Sequence, residues 1–231
     1  MSRLTVLSGG AAHGLVNMVT EQFTADTGFR VEGEYSAVGV MAERLRSGLR
    51  TDLVILTRSL IAELSREGLV IDGSARDLGT VLTGVAFRTG DTASLVASSE
   101  ALRAALLAAD AIYVPDMTQS TAGTHIASVL AGLGIANEVQ PCLQSFPNGA
   151  TAMRELAASR FARPIGCTQI TEILTTPGVA LAGPLPKDCE LATVYTAVLG
   201  SHGLYPDEAM HLLSLLTGDG SDEYRIRAGF I

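Results

Sequence analysis

The sequence contains no tryptophan, and cysteines, aromatic residues and basic residues are few. Its three cysteines, Cys142, Cys167 and Cys189, lack the spacing of metal ligands, and an odd, sparse set does not suggest a disulfide framework. We interpret them as buried small residues and predict no metal site. The net charge of −8 argues against nucleic acid as a partner, because phosphate neutralisation requires a basic surface.

Long apolar segments are also missing. No run of about 18 apolar residues occurs, so we predict no transmembrane segment. Only Met1, Ser2 and Arg3 precede the first predicted strand, without the basic and apolar regions of a signal peptide. We therefore expect a cytoplasmic protein; if Met1 was added to a mature chain, the expected location is the periplasm.

Short β-type runs alternate with amphipathic helices, a pattern that predicts an α/β fold with mostly parallel strands. Locally, we predict that Gly28 ends the first helix, that Ser59 caps a helix and that residues 139–143 form a strand. A composition of 47% hydrophobic and 17% charged residues is sufficient for a sizeable core. Two long β-type runs, at 80–88 and 191–199, stand where the pattern restarts. We interpret them as crossings between two Rossmann-like lobes, residues 1–82 plus 192–231 and residues 83–191, with a hinged cleft between them.

Small polar loops follow the predicted strands, at the ends where open α/β sheets bind ligands. The loops are residues 8–13, 36–39, 57–59, 118–123, 148–151 and 168–169. The first of them opens a helix, and backbone N–H groups at a helix N-terminus favour negative charge. We therefore predict a small anionic ligand and no cofactor. The chain has no P-loop, no Gly-x-Ser-x-Gly elbow and no His-Glu-x-x-His motif.

Four segments carry a family resemblance. They are Leu4-Thr5-Val6-Leu7-Ser8, Asp52-Leu53-Val54-Ile55-Leu56, Thr121-Ala122-Gly123 at a helix start, and Gly183-Pro184-Leu185-Pro186 before Thr193-Val194-Tyr195. In order and spacing, the chain resembles the molybdate-binding branch of the type 2 periplasmic solute-binding proteins over almost its whole length. The resemblance implies two lobes that close on an anion by hinge motion, and an ABC permease as partner if the protein is exported. Some proteins similar to this branch are aconitate isomerases.

The residues expected to contact the ligand depart from those of molybdate binders. Where that branch places hydroxyl groups, this chain has Ala11, Val38 and Gln169, while Ala122 and Ala150 fall where it offers backbone N–H groups. With hydroxyls lost, we expect a di- or tricarboxylate rather than molybdate. The predicted ligand-binding residues are Ser8, Gly9, Gly10, Ala11, Ser36, Val38, Arg58, Ser120, Thr121, Ala122, Asn148, Ala150 and Gln169.

Three charged or titratable residues are candidates for more specific roles. Arg58 follows a predicted strand and can grip a carboxylate in a bidentate manner; the alternative is a solvated surface arginine. His13 and His125 lie in the first turns of helices behind binding loops, where either could donate to the anion or move a proton. The alternative for each is a partly buried or surface histidine.

Two functions of different class remain open. The first is a solute-binding-type protein that captures a small carboxylate. The alternative is a cytoplasmic isomerase that moves the double bond of an unsaturated polycarboxylate by allylic proton transfer, with His13 and His125 as proton carriers. No carboxylate base is evident at the predicted loops, which weighs against the enzyme.

Overall fold

A computed structural model of the protein describes residues 2–92 and 96–231. The strands are β1 (Arg3–Gly9), β2 (Arg30–Ser36), β3 (Leu53–Thr57), β4 (Arg76–Arg88), β5 (Ala111–Pro115), β6 (Leu143–Phe146), β7 (Pro164–Gln169), β8 (Val179–Pro184) and β9 (Ala192–Leu199). The helices are α1 (His13–Thr27), α2 (Val38–Arg46), α3 (Arg58–Arg66), α4 (Ser99–Ala108), α5 (Thr121–Gly132), α6 (Ala136–Val139), α7 (Gly149–Ala157), α8 (Ile170–Leu174), α9 (Pro206–Thr217) and α10 (Asp222–Ala228).

The chain forms two compact units of mixed α/β structure. The first comprises Met1–Val81 and Thr193–Ile231, and the second comprises Leu82–Ala192. The chain passes between them within β4 and at the start of β9, the two β-type runs that we interpreted as crossings. Among residues 2–92 and 96–231, no helix is both long and apolar enough to cross a membrane.

In the first unit, β1 is the central parallel strand. It pairs in parallel with β2 on one side and β3 on the other, and β9 pairs antiparallel with β3. Helix α1 buries Leu15, Val16, Val19 and Phe23 in the core of this unit. The predicted glycine stop is confirmed at Gly28, which ends α1 with a φ of 74°, a value that glycine adopts without steric cost.

A buried carboxylate ties three segments of the first unit together. Asp52, 4% exposed, accepts hydrogen bonds at Oδ2 from the backbone N–H and the hydroxyl of Thr5, at 2.8 and 2.6 Å. Its Oδ1 accepts from the backbone N–H groups of Leu204 and Tyr205, at 2.7 and 3.0 Å. The start of β3 is thereby joined to β1 and to the segment that leads into α9.

In the second unit, β5 is the central strand. It pairs in parallel with β6 and β7, β7 pairs antiparallel with β4, and β4 pairs antiparallel with β8. Alternate residues of β5 belong to different apolar clusters, Ile112 and Val114 to one and Ala111 and Tyr113 to the other. The sheet is therefore covered on both faces, as parallel sheets require.

Three local predictions are wrong. The strand predicted at 139–143 is the end of α6 followed by a 3-10 turn, and the strand is Leu143–Phe146; Pro141 has no N–H to donate to a sheet ladder. The cap of α3 is Thr57, which accepts from the N–H of Leu60, and Ser59 lies inside the helix. Only Cys167 is fully buried, since Cys142 and Cys189 are partly exposed.

Candidate functional site

The first predicted loop is closely packed against α2. Ser8 is fully buried and donates its hydroxyl hydrogen to the Gly9 carbonyl at 2.8 Å. A Cβ added at Gly9 would lie 2.7 Å from Cγ1 of Val38, so only glycine permits this approach. Ala11 is 2% exposed. The structure thus brings Gly9 and Val38 together and makes this part of the predicted site largely apolar.

His13 lies at the start of α1 beside Tyr35. The two ring centroids are 4.2 Å apart, and Nε2 of His13 lies 3.1 Å from Nδ2 of Asn17. An amide nitrogen donates, so in this contact Nε2 of His13 takes the acceptor role. Burial raises the pKa of Tyr35, so its phenol stays protonated. The acceptor role at Nε2 is the one that a general base requires, and His13 as a proton carrier stays a prediction.

Arg58 is already paired within the first unit. Its guanidinium contacts the carboxylate of Asp77 through Nη2 and through Nε, the latter at 3.3 Å, and Thr196 donates to Asp77 Oδ1 at 2.6 Å. Burial opposes ionisation of Asp77, but the hydrogen bonds from Arg58 and Thr196 outweigh it and lower the pKa of Asp77. A ligand carboxylate would have to compete with Asp77 for the 62% exposed Arg58 side chain.

In the second unit, the loop before α5 uses its polar groups internally. The hydroxyl of Ser120 caps the helix by accepting from the N–H of Gly123 at 3.4 Å. Asp116 accepts from the N–H groups of Thr118 and Gln119, each at 2.8 Å. Ala122 is 1% exposed. The predicted contacts Ser120, Thr121 and Ala122 thus lie at the start of α5, where capping and ligand contact are compatible.

His125 is held by the turn that precedes β9. Its Nε2 lies 2.7 Å from the carbonyl oxygen of Cys189, and because a carbonyl only accepts, Nε2 carries the hydrogen. The ring lines a cavity of about 380 Å³ together with Ser99, Cys189 and Glu190. The structure therefore gives His125 an anchoring contact that the sequence did not predict. Its role as a proton carrier stays a prediction.

Gln169, at the end of β7, is the most unusual polar residue of the predicted site. It is 3% exposed, and neither Nε2 nor Oε1 finds a hydrogen-bond partner within residues 2–92 and 96–231. Thr83 pairs with Gln169 in the β4–β7 ladder, so the two side chains emerge on one face of the sheet. The hydroxyls of Thr83 and Thr171 are buried and equally without partners in the described part of the chain.

Glu172, the residue that follows Thr171, was not predicted from the sequence. It is 6% exposed, and its Oε2 accepts from the hydroxyl of Thr168 at 2.6 Å. Burial raises the pKa of Glu172, against the opposing effects of Thr168 and of the backbone N–H groups of Ala150, Gln169 and Gly149. Glutamate at the third position of a helix, reaching back to its start, is a capping-box signal that could have revealed it.

The Glu172 carboxyl brings two predicted loops together. Asn148 caps α7 by accepting from the N–H of Thr151 at 2.8 Å, and the next two residues, Gly149 and Ala150, direct N–H groups toward Glu172. Gln169 contributes its own N–H to the same carboxyl. The predicted contacts Ala150 and Gln169 are therefore neighbours around one buried acid. The described residues contain no group of three or more side chains arranged to hold a metal ion.

The fold defines the class of protein. The periplasmic molybdate-binding protein of Azotobacter vinelandii superposes with a TM-score of 0.81 over 99% of this chain and 98% of that chain, at 16% identity. The sulfate-binding protein SubI of Mycobacterium tuberculosis H37Rv gives a TM-score of 0.76 over 100% and 86%, at 13% identity. These similarities confirm the type 2 periplasmic-binding-protein fold.

Sequence comparison identifies the family. The pattern described as bacterial extracellular solute-binding protein matches residues 4–231, so the chain belongs to that family. An aconitate isomerase from Pseudomonas sp is 23% identical over 228 residues, which span 94% of this chain and 82% of that protein. The family resemblance inferred from the sequence is therefore confirmed.

Proposed function

We propose that the protein binds a small di- or tricarboxylate with the loops at the carboxyl ends of its strands. The observation that carries this proposal is the buried amide of Gln169, which has no hydrogen-bond partner among the described residues. A buried polar group without a partner costs about 1 to 3 kcal/mol, which a ligand that pairs with it would recover. The Nε2 hydrogens of Gln169 can donate to a carboxylate oxygen, and its Oε1 can accept from a ligand hydroxyl.

The apolar lining of the first unit supports a carboxylate over a tetrahedral oxyanion. Ala11 and Val38 offer no side-chain donors, and the Ser8 hydroxyl is already donated to the Gly9 carbonyl. A tetrahedral dianion needs many converging donors, whereas a carboxylate group is satisfied by fewer. Ser36, Gly10 and Arg58 remain predicted contacts of the ligand within this unit.

A second candidate function is isomerisation of an unsaturated polycarboxylate. The observation that favours it is the similarity to an aconitate isomerase along nearly the whole chain. Such a reaction removes a proton from a carbon beside the double bond, and His13, whose Nε2 faces Asn17, is the candidate base. Delivery of the ligand to an ABC permease belongs to the binding function in the periplasm, whereas the isomerase fits the cytoplasm.

Ligand-induced thermal shifts test the binding function. We expect cis-aconitate, trans-aconitate or citrate to raise the melting temperature more than sulfate or molybdate, because a ligand that binds the native state stabilises it. Gln169→Leu should weaken carboxylate binding by about tenfold or more. Gln140→Leu, which changes an exposed glutamine of the same unit, is the control and should bind as the wild type does. A shift with molybdate and none with any carboxylate would contradict the proposal.

Proton NMR separates the two candidates. The protein is incubated with cis-aconitate, and the ratio of cis to trans isomer is followed. Interconversion that is lost in His13→Gln and retained in His202→Gln would establish the isomerase. No interconversion at protein concentrations equal to those of the substrate would leave binding alone.

A further inference from the structure

The N-terminus of α7 already faces an acidic group of the protein itself. The Glu172 side chain is buried beneath this helix start, and the N–H groups of Gly149 and Ala150 act on its carboxyl. A Cβ added at Gly149 would lie 1.9 Å from Glu172 Oε2 and 2.1 Å from Thr168 Oγ1. The absence of a side chain at position 149 is therefore what lets the carboxyl approach the helix.

The same helix start is where the predicted ligand binds in the second unit. Ala150 is a predicted backbone donor, and Gln169, whose buried amide lacks partners among the described residues, lends its backbone N–H to Glu172. An anion that reaches these donors therefore comes close to a carboxyl group of the protein. Repulsion between them grows in proportion to the charge of the incoming group.

We propose that Glu172 is a specificity-determining residue that selects against dianions at the α7 loop. Its carboxyl shares the N-terminal amides of α7 with the ligand. Once ionised, it tolerates a single carboxylate group better than a doubly charged oxyanion. This inference rests on the proposed function for the place where the ligand binds. It assigns Glu172 no contact with the ligand, because the effect acts through charge.

Uncharged replacements of Glu172 test the selection. Glu172→Gln and Glu172→Met remove the charge at similar length, Glu172→Asp retains it, and Glu155→Gln removes a charge from an exposed position on α7. Dissociation constants for sulfate, molybdate and propionate are measured by calorimetry on each variant, after circular dichroism has shown that it is folded. The pH is set high enough to ionise Glu172, because burial raises its pKa. Two uncharged variants are used so that a folding defect in one leaves the other to decide.

We expect Glu172→Gln or Glu172→Met to strengthen sulfate and molybdate binding by about tenfold and propionate binding by about threefold. The gains differ because doubling the charge of the ligand doubles its repulsion energy with the Glu172 carboxylate. Glu172→Asp and Glu155→Gln should retain the wild-type preference. Unchanged sulfate affinity in the folded uncharged variants would overturn the inference and leave Glu172 as a helix cap. An equal gain for sulfate and propionate would also overturn it, because charge would not be the cause.

The outcomes separate this inference from the proposed function. If the wild type binds no carboxylate but the uncharged variants gain sulfate binding, the carboxylate function is wrong and the selection by Glu172 holds. If the wild type binds trans-aconitate and the uncharged variants keep its relative affinities for propionate and sulfate, the carboxylate function holds and the selection by Glu172 is wrong.

Discussion

Asp52 offers the sharpest test of how the first unit is held together. Its two carboxylate oxygens accept four hydrogen bonds, two from Thr5 and one each from the N–H groups of Leu204 and Tyr205. Asp52→Asn keeps the size and shape of the side chain but turns one oxygen into a donor. Whichever way the amide faces, its NH2 group meets groups that themselves donate.

The favoured orientation can be worked out from these contacts. If the NH2 group faces Leu204 and Tyr205, two backbone N–H groups lose their acceptor. If it faces Thr5, the hydroxyl can turn to accept and only the Thr5 N–H is lost. One hydrogen bond to a charged group is then removed and three are weakened, so we expect the free energy of unfolding to fall by about 2 to 4 kcal/mol.

Urea unfolding followed by far-UV circular dichroism measures this loss, since the chain has no tryptophan to report it by fluorescence. Asp72→Asn is the matched control, because Asp72 is exposed and accepts a hydrogen bond from Ser65 Oγ at 3.1 Å. It should change stability by less than about 0.5 kcal/mol. A loss below about 0.5 kcal/mol for Asp52→Asn would refute the reasoning, because the four contacts would then be worth no more than a surface contact.

Three further predictions follow from the site. Gly149→Ala should lower the free energy of unfolding by about 1 to 3 kcal/mol by overpacking, whereas Gly132→Ala, with open space around it, should not destabilise; thermal melts compare them. The pKa of Glu172 is raised in the folded state, so this residue contributes stability below the ordinary glutamate pKa. That contribution is lost as pH rises through the raised pKa. Thermal melts recorded across this pH range should show the loss in the wild type and not in Glu172→Gln. Arg58→Ala should weaken trans-aconitate binding by about tenfold in calorimetry. Unchanged affinity would make Arg58 only the surface partner of Asp77.

The predicted helices and strands agree with the structure where the prediction depended on residues close together in sequence. Alternation of β-type runs with amphipathic stretches predicted the α/β class, and Gly28 predicted the end of α1. The prediction failed at 139–143, where apolar residues occur in helix and strand alike and only the geometry around Pro141 separates the two.

The candidate site was predictable in outline only. Loops at the carboxyl ends of parallel strands lie at one edge of a sheet, so their residues could be proposed as ligand contacts before the structure was known. The hydrogen-bond and ion-pair partners of those residues could not be proposed from the sequence. Asp77 pairs with Arg58, and Cys189 binds His125, although neither partner is close in sequence.

The sequence by itself determined the order and type of the elements, the small polar loops and the absence of long apolar runs, because these depend on residues within a few positions of one another. The tertiary structure alone decided which polar groups are satisfied. Glu172 meets the N–H groups of α7, and Gln169 is buried without partners among the described residues. Such contacts join segments that are distant in sequence, and their energies depend on burial, which only the folded chain creates.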